Sequence, residues 1–259
     1  MTKTEQLRFL LTELTEENPI YEGIRFPHSQ EEQKRLLRSL MNVRPPKPVT
    51  KRFLEVQDAY LMEEREQKGV LSLSSLSPVE KGIYLWQGDI TTLQVDAIVN
   101  AANSSLLGCF IPCHGCIDNA IHSAAGVQLR LECARIMERQ GKEEATGQAK
   151  ITKAYNLPCR FVLHTVGPIV QGTPTQEDRE LLASCYRSCL ALAAANGVES
   201  IAFCCISTGE FHFPRDLAAR IAVDTVRAYL KENNHNWKVI FNVFGDADAS
   251  LYRSILKAD

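Results

Sequence analysis

Apolar residues recur at helical spacing within the first 80 positions of the chain. Four leucines fall at i, i+3, i+4 and i+7 of one predicted amphipathic helix: Leu7, Leu10, Leu11 and Leu14. A second helix is predicted from about Ser29 to Met41, and it stops before Pro45 and Pro46 because a proline cannot continue a helix. A third helix is predicted over residues 51–68. The pattern therefore predicts a helical N-terminal extension over residues 1–78.

After residue 78 the pattern changes, and short apolar runs alternate with helical patterns. The runs of strand character cover residues 83–87, 97–100, 161–164, 200–205 and 239–244. The helical patterns cover residues 118–140, the segment around 181–190, and residues 215–232. Alternating strands and helices are typical of a layered α/β/α domain, in which ligands bind beyond the carboxyl ends of the strands. We expect this domain to span residues 79–259.

Composition and charge narrow the classes of function. The formal net charge is −2, so no basic field favours nucleic acid as a partner. No apolar run is long enough to span a bilayer and the N-terminus lacks the features of a signal peptide, so we expect a cytoplasmic protein with no membrane partner. Seven basic residues and no acidic residue lie between Lys34 and Arg52. This run is either a docking patch for an acidic partner or the solvated face of a helical cap, and the second interpretation is favoured.

The chain contains nine cysteines, an odd number. Without an export signal, a disulfide framework is not expected. Five cysteines lie in apolar contexts and are interpreted as small core residues: Cys133, Cys185, Cys189, Cys204 and Cys205. The closely spaced cysteines at positions 109, 113 and 116 are better explained by metal binding or by chemistry.

The short segment from Cys109 to Cys116 has the composition of a metal site. Thiolate and imidazole are ligand types that zinc prefers, and the favoured set is Cys109, His114 and Cys116. Three protein ligands leave a fourth position open for water or substrate, which is the catalytic pattern. The alternative involves Cys113, which forms a C-x-x-C pair with Cys116 and predicts a closed structural site or a redox pair.

Small and polar residues follow three of the predicted strands. Asp89, in the run Gly88–Thr91, is either an acceptor for an adenine amino group or a helix N-cap. The amides of Asn100 and Asn103 suit ribose hydroxyls, although asparagine is also common in turns. Residues 206–211 precede a helix, where free backbone N–H groups favour phosphate, and a simple turn of small residues explains the run equally well.

Taken together, these motifs resemble the macrodomain family over residues 80–257. The matching segments are Gly88–Thr91, Val99–Asn103, Ile117–Gly126, His164–Pro168 and Ile206–Gly209. The resemblance implies a three-layer α/β/α fold with a central mixed sheet. Where common macrodomains carry a run of glycines, this chain has the longer segment from Gly108 to Cys116, and in this it is similar to a zinc-containing branch found in bacteria and fungi. In bacteria, members of that branch are encoded beside a sirtuin-type ADP-ribosyltransferase and a lipoate-carrying protein, and the helical N-terminal extension fits the branch too.

The resemblance also implies roles for individual residues. Asp89 would bind the adenine amino group, Ile90 would contribute a backbone contact, and Phe244 would stack on the adenine. Five residues would hold the diphosphate: Ser207, Thr208, Gly209, Glu210 and Phe211. Asn103 would hold the distal ribose, and Asp118 would orient or deprotonate a water molecule.

These roles predict a monomeric, zinc-dependent hydrolase that removes mono-ADP-ribose from modified proteins. Its partners would be ADP-ribose and mono-ADP-ribosylated protein, with a lipoate carrier as a candidate target. The alternative is a reader that binds ADP-ribose without cleaving it, and such a reader needs neither Asp118 nor the zinc loop. A zinc nucleobase deaminase is disfavoured, because residues 112–116 match P-C-x-x-C but the chain has no H-x-E triplet.

Overall fold

A computed structural model describes residues 1–233 and 237–257 of the chain, so residues 234–236 and 258–259 of the predicted domain lie outside the described residues. The extension forms three helices, as predicted: α1 (Lys3–Glu16), α2 (Gln30–Val43) and α3 (Lys51–Lys68). Thr2, Ser29 and Thr50 cap their N-termini, each accepting a hydrogen bond from a backbone N–H of the first turn. The four leucines of α1 are fully or almost fully buried.

Eight strands lie within the described residues that follow the extension helices. Six of them form a large mixed sheet flanked by helices. The strands are β1 (Leu71–Ser72), β2 (Ile83–Gln87), β3 (Leu93–Gln94), β4 (Ala97–Ala102), β5 (Ala149–Lys153), β6 (Phe161–Val166), β7 (Ser200–Phe203) and β8 (Lys238–Val243). The large sheet has the order β2-β8-β7-β4-β6-β5, and β1 pairs separately with β3. Only β5 runs antiparallel to its neighbour in the large sheet, which confirms the mixed sheet.

Five helices accompany the large sheet and complete the α/β/α arrangement. They are α4 (Ile117–Ala125), α5 (Val127–Gln140), α6 (Gln176–Ala195), α7 (Arg215–Asn233) and α8 (Asp246–Leu256). Helices α6, α7 and α8 pack side by side, whereas α4 and α5 contact the sheet through β4 and β5 and also meet the extension. In the part of the chain that the structure describes, none of the helices has the length and apolar character needed to cross a membrane.

Three expectations about secondary structure were wrong. The single helix predicted over residues 118–140 is two helices, because Gly126 adopts a φ of +94° that ends α4 and starts α5 at a new angle. The two-residue strands β1 and β3 and the five-residue strand β5 were not predicted. The predicted strand at 200–205 ends at Phe203, because the chain turns there into the loop that follows β7.

The buried apolar residues form two clusters. The larger cluster fills the space between the sheet and its helices, and it contains the predicted core cysteines Cys133, Cys185, Cys189 and Cys204. Cys205 is only partly buried, because it packs at the edge of this core. The smaller cluster lies among the extension helices and also contains Val127 of α5. The core of the extension is therefore completed by a residue of the sheet domain.

The basic run from Lys34 to Arg52 is a solvated face only in part: Arg35, Lys47, Lys51 and Arg52 are exposed, whereas Arg38 and Arg44 make contacts within the protein. Arg44 is 5% exposed, and its guanidinium donates to Glu17 and to the carbonyl oxygens of Lys47 and Pro48. Arg38 reaches across to the sheet domain, as described below. The favoured interpretation was wrong for these two arginines, because a run of charges in the sequence does not show which helix faces contact another part of the molecule.

Candidate active site

The loop between β4 and α4 brings the cysteine–histidine cluster to one point. Potential ligand atoms of Cys109, His114 and Cys116 all lie within 4.8 Å of one another, and all three residues are partly exposed. The Cys109 Sγ lies 3.6 Å from the His114 Nδ1. Two sulfurs and an imidazole nitrogen at this spacing fit a tetrahedral zinc ion with one open position.

The protonation state of Cys116 depends on whether a cation is bound. Burial and the neighbouring Cys109 thiol raise the pKa of the Cys116 thiol to about 12, although a hydrogen bond from the Asn119 N–H opposes the shift. On its own, the thiol therefore keeps its proton at neutral pH. A coordinated divalent cation reverses this preference, because it deprotonates a ligating thiol outright. The donor set and its surroundings are thus compatible with zinc.

The Cys113 side chain points away from the other three potential ligands and toward α2. Its Sγ lies 3.2 Å from the Ser39 Oγ and 3.4 Å from the Arg35 carbonyl oxygen, both on α2. Its backbone has a φ of +52°, and its N–H donates to the Asn42 side chain. The structure thus brings the three favoured ligands together and directs the rival thiol toward the extension.

Asp118 sits in the first turn of α4, directly after the cysteine–histidine loop. It is 5% exposed, and its Oδ1 accepts a 2.8 Å hydrogen bond from the Asn100 Nδ2. Burial raises the pKa of this carboxyl to about 6, against the opposing effects of Asn100 and the Arg130 charge. The Asn103 Nδ2 lies 3.5 Å from the other carboxylate oxygen. This partner of Asn100 was not predicted, because the two residues are 18 positions apart in sequence and come into contact only when the chain folds.

Asn103 also shapes the loop that it begins. Its Oδ1 accepts hydrogen bonds from the Ser105 N–H and hydroxyl, and its Nδ2 donates to the Gly108 carbonyl oxygen at 3.1 Å. This is the local turn chemistry that the sequence left open as an alternative to ribose binding. In the structure, Asn103 ties the start of the loop over residues 103–116, the metal loop named for its predicted zinc ligands, to Gly108.

The predicted adenine-binding residues lie at the ends of neighbouring strands, β2 and β8. Asp89 caps a short 3₁₀ turn over Ile90–Thr92 and accepts hydrogen bonds from the Thr91 N–H and hydroxyl. Ile90 itself is buried. Phe244 follows β8 and is 80% exposed, which leaves its ring free to stack. The N-cap role of Asp89 is therefore observed, and its Oδ2 lies 3.5 Å from the Lys68 Nζ.

The predicted phosphate loop follows β7. Ser207 has a φ of +64°, and its buried hydroxyl has no hydrogen-bond partner within the described residues. Gly167 packs so closely that a Cβ added there would lie 2.0 Å from the Ser207 Oγ. Gly209 and Glu210 are exposed, whereas Thr208 and Phe211 are partly buried. The loop thus offers backbone and small side chains at the carboxyl end of the sheet.

One contact joins the phosphate loop to the metal loop. The His114 Nε2 lies 3.5 Å from the Glu210 Oε1, while its Nδ1 faces Cys109. A carboxylate on the second ring nitrogen of a metal-ligating histidine fixes the ring and its tautomer. Glu210, which the sequence assigned to the diphosphate, is therefore also positioned to orient His114.

Comparisons with known proteins agree with this geometry. The family model described as Macro domain matches residues 99–222. A protein-ADP-ribose hydrolase of Treponema medium is 57% identical, over 99% of this chain and 100% of the relative. The chain belongs to the Macro domain family. This macrodomain is also 44% identical to a probable bifunctional ADP-ribose hydrolase/ADP-ribosyltransferase of Fusarium oxysporum f. sp. cubense, over 85% of this chain and 40% of the relative.

Comparison with a solved structure supports the same family. The Trypanosoma brucei macrodomain in complex with ADP-ribose is 34% identical to this macrodomain, with a TM-score of 0.65 over 80% of this chain and 91% of the other. The sheet and its helices are therefore those of a macrodomain.

Proposed function

We propose that this macrodomain is a protein-ADP-ribose hydrolase that removes mono-ADP-ribose from modified proteins with the help of a zinc ion. The observation that carries the proposal is the convergence of three potential ligand atoms within 4.8 Å, on the loop that leads directly into α4 and its buried Asp118. The names of the hydrolase relatives, which align over almost the whole chain, support the same activity. A protein that only reads ADP-ribose has no need of a metal loop beside an acidic residue.

The zinc would be held by Cys109, His114 and Cys116. When bound there, zinc would polarise an oxygen at the distal ribose or lower the pKa of a bound water. The Glu210 carboxylate, 3.5 Å from the His114 Nε2, would keep the imidazole oriented for metal binding.

Asp118 would act first as a general base and then as a general acid. Asn100 engages its Oδ1, and the Asn103 Nδ2 lies 3.5 Å from its Oδ2. A carboxylate oxygen can accept more than one hydrogen bond, so Oδ2 would also accept from a water molecule beside Asn103. The water oxygen would add to C1 of the distal ribose while the bond from C1 to the protein atom breaks. Asp118 would take the proton from the attacking water and return it to the leaving side chain. The products are ADP-ribose and the unmodified protein.

The remaining site residues would hold the rest of ADP-ribose. Asp89 and Phe244 stand at neighbouring strand ends, where the adenine would lie, and Ile90 would supply a backbone contact. The loop over residues 207–211 would accept the diphosphate on its backbone N–H groups. Binding energy from these distant groups would position the ribose over Asp118.

The substrates that we propose are proteins modified by a sirtuin-type ADP-ribosyltransferase, with a lipoate carrier as the candidate target. The support is the Fusarium relative, whose name joins an ADP-ribose hydrolase with an ADP-ribosyltransferase. We propose the same pairing of the two activities for this chain, with the transferase on a separate protein and both enzymes acting on one target.

The test is single-turnover release of ADP-ribose from a modified protein by metal-free and zinc-restored enzyme. We expect release to be restored by zinc, and to fall at least tenfold in Cys116→Ser, since the thiolate ligand is lost while a side chain that can cap α4 is kept. Cys113→Ala, whose thiol faces α2, is expected to keep one zinc per chain by metal analysis.

Two results would contradict the proposal in different ways. Equal rates with and without zinc would remove the metal from the chemistry and leave the hydrolase intact. Tight ADP-ribose binding by calorimetry, with no release from any modified protein in either metal state, would make the protein a reader.

A further inference from the structure

Helix α2 of the extension contacts the metal loop through a buried asparagine. Asn42 is 1% exposed, and its Oδ1 accepts a 2.9 Å hydrogen bond from the backbone N–H of Cys113. Its Nδ2 donates to the Ser123 Oγ of α4, also at 2.9 Å. One side chain from the extension therefore joins the residue before His114 to the helix that carries Asp118.

A second contact comes from Arg38, one turn earlier on α2. Its Nη2 donates to the His114 carbonyl oxygen at 3.1 Å and to the Asn119 Oδ1 at 2.7 Å. Asn119 is itself fully buried, donates to the Ile111 carbonyl oxygen, and offers its N–H to the Cys116 sulfur. Arg38 thus holds the backbone of one candidate ligand and an asparagine that bridges to a second.

The C-terminal end of α2 is joined to the first half of the loop by Arg130 of α5. This arginine is 5% exposed and donates to the carbonyl oxygens of Asn42 and Leu107 at 2.8 and 2.6 Å. Its guanidinium also lies 4.2 Å from the centre of the Phe110 ring, next to Cys109. The second half of the loop therefore takes polar partners directly from α2, and the first half takes one from Arg130, which the end of α2 also binds.

The loop needs such external support. No helix or strand is assigned between β4 and α4, and Leu106 and Cys113 both have positive φ values. Ordering such a segment costs about 1–2 kcal/mol per residue, and repeating backbone hydrogen bonds do not offset that cost here. Polar contacts from a packed helix help to offset this cost and to keep the three potential ligand atoms close together.

We infer that α2 is a positioning element for the metal loop, acting through Arg38 and Asn42. This inference rests on the proposed zinc site. The segment matched by the Macro domain model, residues 99–222, contains all three candidate ligands but neither of these two residues. The extension thus belongs to the metal site, although it supplies no ligand to it.

The test compares Arg38→Ala and Asn42→Ala with Arg35→Ala, an exposed arginine of the same helix whose side chain lies outside this network. Zinc affinity is measured by competition with a chromophoric chelator, and the site geometry by the absorption spectrum of the cobalt-loaded protein. We expect zinc binding to weaken about 10- to 100-fold in the first two variants, as for other outer-shell partners of metal ligands, and to stay unchanged in Arg35→Ala. The cobalt spectrum should change in the same two variants.

Two further measurements separate positioning from a general loss of structure. ADP-ribose affinity of the metal-free variants should stay close to that of the metal-free parent, because the residues proposed to bind the adenine and the diphosphate follow β2, β8 and β7 and not α2. Arg38→Lys keeps a cation and one donor toward His114 and Asn119, so its zinc affinity should lie between those of the parent and Arg38→Ala. This conservative variant decides the question if Asn42→Ala does not fold.

The outcomes distinguish this inference from the proposed function. Parental zinc affinity and cobalt spectra in both alanine variants would overturn the role of α2 and leave the zinc hydrolase standing. A parent protein that binds no zinc would overturn both.

Discussion

Several polar residues of the site serve the backbone as well as the proposed chemistry. Asp89 caps a 3₁₀ turn, Asn103 closes the turn that opens the metal loop, and Cys116 caps α4 through its sulfur. Alanine substitutions at these positions would change local structure together with ligand contacts. Substitutions of similar shape are therefore the informative ones.

Asp118 is the residue where chemistry and structure separate most cleanly. Asp118→Asn keeps the size of the side chain and an oxygen that accepts from Asn100, but it removes a carboxylate that can take a proton. We expect the single-turnover release rate to fall about 10²- to 10⁴-fold, the usual contribution of a general acid or base. ADP-ribose affinity, measured by calorimetry, should change less than about threefold. An unchanged release rate would exclude Asp118 from proton transfer.

At the scale of elements, single residues decide where strands and helices meet. Asp96, just before β4, accepts hydrogen bonds from the N–H of Glu199 and the N–H and hydroxyl of Ser200. Partial burial alone would raise the pKa of this carboxyl, but these hydrogen bonds, together with Arg160, hold it below the usual range. Asp96 therefore fixes the start of β4 beside the start of β7.

This contact predicts a pH-dependent stability. Asp96→Ala should lower the free energy of unfolding by about 1–2 kcal/mol at pH 7, because three donors lose their acceptor. Because the folded-state pKa is below the unfolded value of about 3.9, the contribution is present above that pH and is lost as the pH falls through the folded-state pKa. Urea unfolding at pH 7 and pH 3 checks this. A difference between parent and variant that is as large at pH 3 as at pH 7 would contradict it.

Gly126 shows how one element boundary serves the whole site. A Cβ there would lie 2.6 Å from the Gln57 Nε2, and the Gln57 Oε1 accepts the N–H of Val127 at 2.9 Å. The break between α4 and α5 therefore lets α3 of the extension approach the sheet domain and cap the new helix. The two shorter helices are a consequence of docking as much as of the glycine itself.

At the scale of the whole molecule, the extension and the sheet domain share one interface. Asp58 of α3 accepts hydrogen bonds from Gln128 and Asn156, and the Arg65 side chain donates to the Asn156 carbonyl oxygen. Val127 completes the apolar core of the extension. Contacts of this kind couple the stability of the two parts.

This coupling can be tested with the two tryptophans of the chain, Trp86 and Trp237, which both lie in the sheet domain. Leu11→Ala removes a fully buried side chain from the extension core and should cost about 2–5 kcal/mol. If the parts unfold together, the tryptophan fluorescence midpoint in urea will shift with the far-UV circular dichroism midpoint. A fluorescence midpoint equal to that of the parent would show that the sheet domain unfolds independently.

The sequence by itself determined the class of fold and the set of candidate residues. Helical spacing located α1 to α3, apolar runs located the five longer parallel strands, and five ordered motifs indicated the macrodomain family. The helices and strands are local features, so spacing alone carries them, whereas the family rests on the resemblance of the motifs. The chemistry of thiol and imidazole likewise marked the segment from Cys109 to Cys116 as a candidate metal site.

Only the tertiary structure decided which residues meet. The sequence could not direct Cys113 toward α2, bring Asn100 to Asp118, or bury Arg44 and engage Arg38 at the interface, because each of these contacts joins residues far apart in the chain or on different elements. A cysteine's neighbours in sequence do not fix the direction of its thiol when the backbone can take a positive φ, as at Cys113. Packing of the extension against the metal loop selects that conformation, and packing is a property of the folded chain.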